Sequence, residues 1–220
     1  MADYPTIRGL RVKYLSADPA NPEDGQVWYN STSGTLKTQI VTEAWASASA
    51  MSTTRSSMGS TSNTPRDTAM GFGGETPSVV SNCEEFDGTN WTAGGSLNTA
   101  RSNTAGFGTQ TATVCAGGLI PPASPQTQSL VEEYNGASWS EETNLPTGLP
   151  TAAGTGILTA GLIMGGENST ASGLVDTTYE YDGSSWTSGG TLAEAKNKVG
   201  AGGTQTAGLS FGGWPGTSAP

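Results

Sequence analysis

Four tryptophans recur along this chain of 220 residues at nearly constant intervals, and this spacing is the strongest constraint on its fold. Successive members of the series are 46, 48 and 47 residues apart: Trp45, Trp91, Trp139 and Trp186. A hydrophobic residue follows six positions after each tryptophan, and a glycine pair begins 26 to 28 positions after it. A fixed interval of this length predicts structural repeats that pack against their neighbours.

Each repeat has the sequence pattern of short β-strands. The segments EEFDGTNW, EEYNGASW and YEYDGSSW predict a hairpin whose second strand carries the tryptophan, with a type I′ turn at Asp-Gly or Asn-Gly. The segments GTQTATVCAGG, GILTAGLIMGG and GTQTAGLSFGG predict a second strand pair. Glycine pairs end these segments, where the backbone turns sharply or approaches another strand: Gly73–Gly74, Gly117–Gly118, Gly165–Gly166 and Gly212–Gly213. The chain is therefore predicted to be all-β, with about four short strands in each repeat.

A repeat of about 47 residues with these markers resembles the kelch repeat, which forms one blade of a β-propeller. The resemblance implies a propeller of about four blades over 26–220. Its repeat units are expected at about 45–91, 92–139, 140–186 and 187–213. Small residues, including 32 glycines, are expected in the narrow space near the propeller axis, and the repeated tryptophans in the wider space between blades.

Closure of such a ring needs two further strands, because no aromatic-to-Trp hairpin follows Gly213. The segment QVWYNSTSGTLK has a strand-turn-strand pattern, so residues 26–44 are the predicted closing strands. Two alternatives stay open: an open repeat array completed by neighbouring subunits, and a fragment of a longer repeat protein.

Charge and hydropathy exclude two classes of partner. The formal net charge is −10, and an acidic surface repels nucleic-acid phosphates. No apolar run approaches the roughly 20 residues that cross a bilayer, and the N-terminal sequence lacks the continuous apolar run of a signal peptide. We expect neither nucleic-acid binding nor membrane insertion.

Few residues have the chemistry of a catalytic or metal site. The sequence has no histidine, and Cys83 and Cys115 are 32 positions apart, so both are expected to be free, buried thiols. Carboxylates recur at equivalent positions of successive repeats: Glu84/Glu85, Glu132/Glu133 and Glu180/Asp182. A catalytic pair is needed once and not in every repeat, so these groups are expected on solvated strand faces and in turns. We expect no enzyme activity, no cofactor and no metal.

Two sets of residues outside the strict repeat are candidates for recognition. Aromatic residues without a repeat position could contact a ligand: Trp28, Tyr29 and Trp214. The connections 75–82, 119–129 and 167–176 differ in length and sequence while the frame around them is constant. Recognition often resides in such loops of a rigid scaffold.

The N-terminal segment 1–25 is more basic than the repeats, and we expect it to be a docking arm that uses Arg8, Arg11 and Lys13. The phrase PEDGQVWYNSTSGTLK, together with repeats such as YDGSSWT and GTQTAGLSFGG, resembles structural proteins of marine bacteriophage virions. The similarity extends over most of the chain.

This resemblance implies a non-enzymatic virion protein that is assembled in the host cytoplasm. It would bind other capsid or tail proteins as a symmetric oligomer. We expect a tail-associated or fibre-like module that contacts a host-surface glycan. A head decoration protein and a virion-associated glycan-degrading enzyme are the alternatives, and a cellular adaptor is a third.

Overall fold

The computed structural model describes residues 12–20, 26–38, 48–65, 67–122, 126–168 and 173–215. These ranges contain 19 strands and no helix. The strands are β1 (Lys13–Leu15), β2 (Val27–Asn30), β3 (Thr35–Thr38), β4 (Gly59–Ser60), β5 (Ala69–Phe72), β6 (Cys83–Phe86), β7 (Trp91–Ala93), β8 (Ala105–Thr109), β9 (Ala112–Ala116), β10 (Val131–Tyr134), β11 (Trp139–Glu141), β12 (Ala153–Ile157), β13 (Ala160–Met164), β14 (Glu167–Asn168), β15 (Gly173–Leu174), β16 (Thr177–Tyr181), β17 (Trp186–Thr191), β18 (Gly200–Thr204) and β19 (Ala207–Phe211). The prediction of an all-β chain is confirmed. Nothing in the described segments is a helix long and apolar enough to cross a membrane.

The chain divides into two compact units, one up to residue 47 and one from residue 48 onward. The first unit contains a three-stranded sheet in which β2 is central, parallel to β1 and antiparallel to β3. Residues 26–38 belong to this sheet.

The second unit contains three antiparallel sheets of four strands each, with the strands adjacent in chain order. We call them sheet 1 (β4–β7), sheet 2 (β8–β11) and sheet 3 (β12, β13, β16 and β17). The strands β14 and β15 form a small hairpin within the connection of sheet 3. The strands β18 and β19 pair only with each other among the described strands, and we call this hairpin half-sheet 4. Pairing of β19 with residues 26–44 is not among the described strand pairs, so ring closure stays a prediction.

The hairpin between the third and fourth strands of each sheet is confirmed, but its predicted type I′ turn is wrong. In sheet 1 the carboxylate of Asp87 accepts the backbone N–H of Thr89 at 2.8 Å and of Asn90 at 2.7 Å. Asn135 and Asp182 accept the same two bonds in sheets 2 and 3. A type I′ turn needs two residues at positive φ, whereas here the Asp or Asn side chain closes a four-residue loop around one glycine.

The glycine pairs hold a backbone conformation that other residues rarely adopt. All eight glycines of the four pairs have φ between +62° and +107°. A Cβ atom on Gly118 would also lie 2.7 Å from the carbonyl oxygen of Ser102, which is too close for a carbon atom. Glycine is therefore required here both by the turn and by the close approach of a neighbouring strand.

The first strands of all four repeats line one cavity of about 300 Å³, and we call these strands the inner strands: β4, β8, β12 and β18. Its wall is made mostly of small residues, including Ser60, Gly106, Gly154 and Ala201. A Cβ atom on Gly154 would lie 2.6 Å from the carbonyl oxygen of Gly106. The inner strands thus approach each other through their backbones, which explains why the sequence is so rich in small residues.

Candidate functional site

The glutamate that begins each predicted carboxylate pair is buried in sheets 1 and 2. In sheet 2, Arg101 Nη1 donates to Glu132 Oε1. The backbone N–H of Asn98 donates to Glu132 Oε2 at 2.7 Å, and that of Thr99 donates to Oε1 at 3.3 Å. Arg101 and Glu132 are 0% and 1% exposed. The expectation of a solvated carboxylate is wrong for Glu132, because the basic residue ten positions after Trp91 reaches it.

Sheet 1 has the same arrangement. Arg55 Nη2 lies 3.2 Å from Glu84 Oε1, and Ser52 donates its N–H and its hydroxyl to Glu84 Oε2 at 2.6 and 2.8 Å. Burial raises the pKa of Glu84, but the bonds from Ser52, Thr53 and Arg55 together outweigh it and lower the pKa below its usual value. A carboxyl of this kind stabilises the fold above its unfolded pKa, and the contribution is lost as the pH falls through the folded pKa.

Sheet 3 replaces this ionic cluster with an apolar one. Leu149 stands where Arg101 stands in sheet 2, and Tyr179 stands in place of Glu132. Both side chains are buried in the same core cluster. Pro146, which has no N–H, takes the position of Asn98. Sheet 3 therefore lacks both this backbone donor and the glutamate that accepts from it in sheet 2. The three positions therefore act as one structural group.

The second glutamate of each pair links neighbouring sheets. Tyr134 Oη in sheet 2 donates to Glu85 Oε1 in sheet 1 at 2.6 Å. Tyr181 Oη in sheet 3 donates to Glu133 Oε1 in sheet 2 at 2.7 Å. Burial raises the pKa of Glu133, and the bond from Tyr181 opposes this only in part. These carboxylates thus bind the tyrosine of the next repeat.

We predict that Tyr181→Phe lowers the free energy of unfolding by about 2 kcal/mol, because Glu133 then loses its donor in a partly buried site. Urea unfolding followed by tryptophan fluorescence measures this loss. Glu133→Gln and the double variant complete a thermodynamic cycle. Losses that simply add in the double variant would show that the hydroxyl and the carboxylate do not interact.

Glutamines in the turns provide a second link between repeats. Gln110 Nε2 in sheet 2 donates to the carbonyl oxygens of Ala69 and Phe86 in sheet 1 at 2.9 and 2.8 Å. Gln205 in half-sheet 4 makes the equivalent bonds, at 3.0 and 2.9 Å, to carbonyl oxygens on β13 and β16 of sheet 3. Each turn therefore clamps the second and third strands of the preceding sheet.

A series of backbone hydrogen bonds joins the segments that lie just before the first strands of the four repeats. The N–H of Asn103 donates to the carbonyl of Ser57 at 2.7 Å, that of Thr151 to Asn103 at 2.9 Å, and that of Lys198 to Thr151 at 3.0 Å. All four residues have φ between +52° and +60°. This series was not predicted from the sequence because the four residue types differ. Their spacing of 46, 48 and 47 residues, the same as that of the tryptophans, was the available signal.

Two of the repeated tryptophans pack towards the preceding sheet. Trp139 Nε1 donates to the carbonyl of Gly95 at 2.8 Å, and its ring centre lies 5.2 Å from that of Phe72 in sheet 1. Trp186 Nε1 makes the equivalent bond to the carbonyl of Thr143 at 3.0 Å, and its ring centre lies 6.1 Å from that of Phe107 on the first strand of sheet 2. Trp91 is half-buried against its own sheet. The tryptophans of sheets 2 and 3 therefore lie between sheets.

The three candidate ligand aromatics differ in exposure. Trp28 is buried, and its Nε1 donates to Asp18 Oδ1 at 2.8 Å. Tyr29 is partly buried and stacks on Tyr14 with ring centres 5.0 Å apart. Trp214 is 57% exposed. Trp28 thus has a structural partner within its own unit, whereas Trp214 presents its ring to solvent.

The other predicted site residues are only partly described. Lys13 is exposed on β1, whereas Arg8, Arg11 and Trp45 lie outside the described residues. Within the described ranges, no group of three or more Cys, Asp or Glu side chains is arranged to hold a metal ion. Cys83 and Cys115 are free and buried, as predicted, and burial raises the pKa of the Cys83 thiol to about 12.

Comparison of the sequence with protein-family models and with characterised proteins gave no match.

Proposed function

We propose that the protein is a non-enzymatic structural component of a bacteriophage virion, built as a kelch-like propeller module and displayed on the tail. The observation that carries the proposal is that the recurrent carboxylates make structural contacts within and between the repeats. Glu85 and Glu133 bind tyrosines of the next sheet, and Glu132 binds Arg101. Groups that could serve catalysis hold the repeats together instead, as in a scaffold.

Two further features support the proposal. The segment PEDGQVWYNSTSGTLK and the Gly/Thr-rich repeats resemble phage virion proteins. The four inner strands also share one cavity, an arrangement that suits a propeller or an open array of the same blades. We assign host contact to the variable connections and to the exposed Trp214, with a surface glycan as the ligand.

The composition of phage particles tests this proposal. Mass spectrometry of purified particles of the phage that encodes the protein should detect it as a stoichiometric component, and cryo-EM should locate it on the tail. Density on the capsid would support the head decoration alternative. Absence from the particles would overturn the proposal. Release of reducing ends from host polysaccharide by the purified protein would favour the enzyme alternative.

The docking arm can be tested by reversing its charge while keeping its length. Reversing the charge at Arg8, Arg11 and Lys13 to glutamate should abolish incorporation into particles, because docking onto an acidic virion surface depends on these charges. Lys198→Glu, a reversal at an exposed lysine of the second unit, is the control and should still be incorporated. Equal incorporation of the two proteins would eliminate the arm as the attachment element.

A further inference from the structure

The side chain that closes the loop between the third and fourth strands is a carboxylate in two sheets and an amide in one. Sheets 1 and 3 use Asp87 and Asp182, whereas sheet 2 uses Asn135. Each of the three is followed by a glycine, so sheet 2 contains the single Asn-Gly pair of the sequence, Asn135 and Gly136. A backbone nitrogen attacks the preceding asparagine side chain most readily when it belongs to glycine, because glycine has no Cβ to obstruct the approach.

The backbone nitrogen of Gly136 is available for this attack. No hydrogen-bond acceptor among the described residues takes its N–H. Asn135 and Gly136 are both exposed, so water and hydroxide reach the nitrogen. The nearest heavy atom to a Cβ placed on Gly136 would belong to Thr111, at 3.5 Å. The approach to the nitrogen is therefore open.

The side-chain amide of Asn135 is held where backbone donors stabilise the charge that the attack creates. Its Oδ1 accepts the N–H groups of Ala137 and Ser138, each at 3.0 Å. Addition of the Gly136 nitrogen to Cγ turns Oδ1 into an oxyanion, so the same two N–H groups then donate to a negative charge. Asn135 Nδ2 lies 3.5 Å from Ser138 Oγ, a hydroxyl that can pass a proton to the departing nitrogen.

The loop also fits the product of deamidation. The carboxylate of Asp87 accepts its two N–H groups at 2.8 and 2.7 Å, and that of Asp182 accepts both at 2.8 Å. The same bonds to Asn135 are longer, at 3.0 Å. The N–H of Asn90, followed by that of Thr89, lowers the pKa of Asp87 below its usual value. An ionised carboxylate is thus the acceptor that this loop binds best.

We propose that Asn135 is a site of spontaneous deamidation in the folded protein, and that the folded loop directs the reaction to aspartate. The deprotonated nitrogen of Gly136 bonds to Cγ, and the bond from Cγ to Nδ2 breaks, so ammonia leaves and a five-membered succinimide remains. One water molecule then adds to Cγ, the bond from Cγ to the Gly136 nitrogen breaks, and a proton returns to that nitrogen. In total, one amide and one water give a carboxylate and an ammonium ion. This inference does not depend on the virion function.

The succinimide can give two products, because water can attack either of its carbonyl carbons. Attack at Cγ gives aspartate with a normal main chain, whereas attack at the backbone carbonyl carbon of Asn135 gives isoaspartate, with an extra methylene in the main chain. The N–H groups of Ala137 and Ser138 polarise the Cγ carbonyl, so the folded chain should give mainly aspartate. The protein therefore gains one negative charge on an exposed turn, irreversibly, as it ages.

Peptide mapping by mass spectrometry tests the proposal on the full chain incubated in mildly alkaline buffer. The peptide that contains Asn135 should exchange its amide for a carboxylate, and enzymatic methylation of isoaspartate distinguishes the two products. The ratio of aspartate to isoaspartate should be at least about threefold higher in the folded chain than in the chain unfolded in urea. A folded chain that keeps the amide while the unfolded chain loses it would overturn the proposal. Equal product ratios in the two states would overturn the directing role of the loop.

Matched variants test whether the loop is responsible. Asp87→Asn transfers the reactive pair to sheet 1, where Gly88 follows and the same two N–H groups are present, so this position should convert to aspartate within about threefold of the rate at Asn135. Gly136→Ala should slow conversion at least about tenfold, because its Cβ obstructs the attack and φ of +92° is strained for alanine. Asn103, which precedes a threonine, is the internal control and should keep its amide. An Asp87→Asn protein that stays unconverted would contradict the proposal.

Asn135→Asp imitates the converted protein. It should unfold at the same urea concentration as the parent or at a higher one, because an ionised acceptor makes stronger hydrogen bonds with the N–H groups of the loop. Asn135→Ala removes the acceptor and should unfold at a lower concentration. If Asn135→Asp unfolded as easily as Asn135→Ala, the loop would not accept the carboxylate, and direction of the reaction to aspartate would be wrong.

Discussion

Glu132→Ala is expected to lower the free energy of unfolding by about 4 kcal/mol, the largest effect of any single substitution considered for this protein. The change leaves the guanidinium of Arg101 fully buried without its carboxylate partner. The N–H groups of Asn98 and Thr99 lose their acceptor at the same time. Urea unfolding monitored by tryptophan fluorescence measures the loss.

The chain itself supplies a compensating change for this variant. Arg101→Leu combined with Glu132→Tyr copies Leu149 and Tyr179 of sheet 3, and it should recover at least half of the lost stability. Glu141→Ala, at an exposed position of the adjacent strand, should cost less than about 0.5 kcal/mol. A loss at Glu132 as small as that at Glu141 would contradict a buried ionic cluster.

The second large effect is expected at Gly154. Gly154→Ala should lower the free energy of unfolding by about 3 kcal/mol, because the added Cβ would lie 2.6 Å from the carbonyl oxygen of Gly106. That oxygen belongs to the backbone of the neighbouring inner strand, so the clash can be relieved only by separating the two sheets. Thermal unfolding by circular dichroism measures the change.

Gly202→Ala is the matched control for this substitution. Gly202 lies on β18, the inner strand of half-sheet 4, and a Cβ atom there would have no heavy atom within 4 Å. Its effect should be below about 1 kcal/mol in either direction. If the two alanine variants had equal stability, close backbone approach could not be the reason for the glycine at 154.

The repeat and its strands were predictable because they depend on spacing. Trp91, Trp139 and Trp186 mark equivalent strands, and each glycine pair marks the end of a second strand. The loop at Asp87 was predicted only as a hairpin, because Asp-Gly fits both a type I′ turn and a loop closed by the carboxylate. The sequence pattern thus predicts the position of a chain reversal more readily than the type of turn that makes it.

The environment of the carboxylates was not predicted, although the sequence contained a signal for it. Glu84 and Glu85 are adjacent on one strand, so their side chains point to opposite faces. One face meets Arg55 and the other meets Tyr134 of the next sheet. In sheet 3 the arginine is replaced by Leu149 and the buried glutamate by Tyr179, and this joint replacement indicated that the two positions are paired. Amino-acid composition alone cannot show this pairing, because composition gives the number of each residue type and not which residues are in contact.

The backbone series through Ser57, Asn103, Thr151 and Lys198 has a consequence for how such a protein can change in length. Each bond uses only main-chain atoms, and it joins a repeat to the one before it. The side chains at these positions are accordingly free to differ in size and charge, as they do here. Insertion or loss of a whole repeat would preserve the continuity of the inner edge, so evolution can lengthen or shorten the array in steps of one repeat without redesigning the units already present.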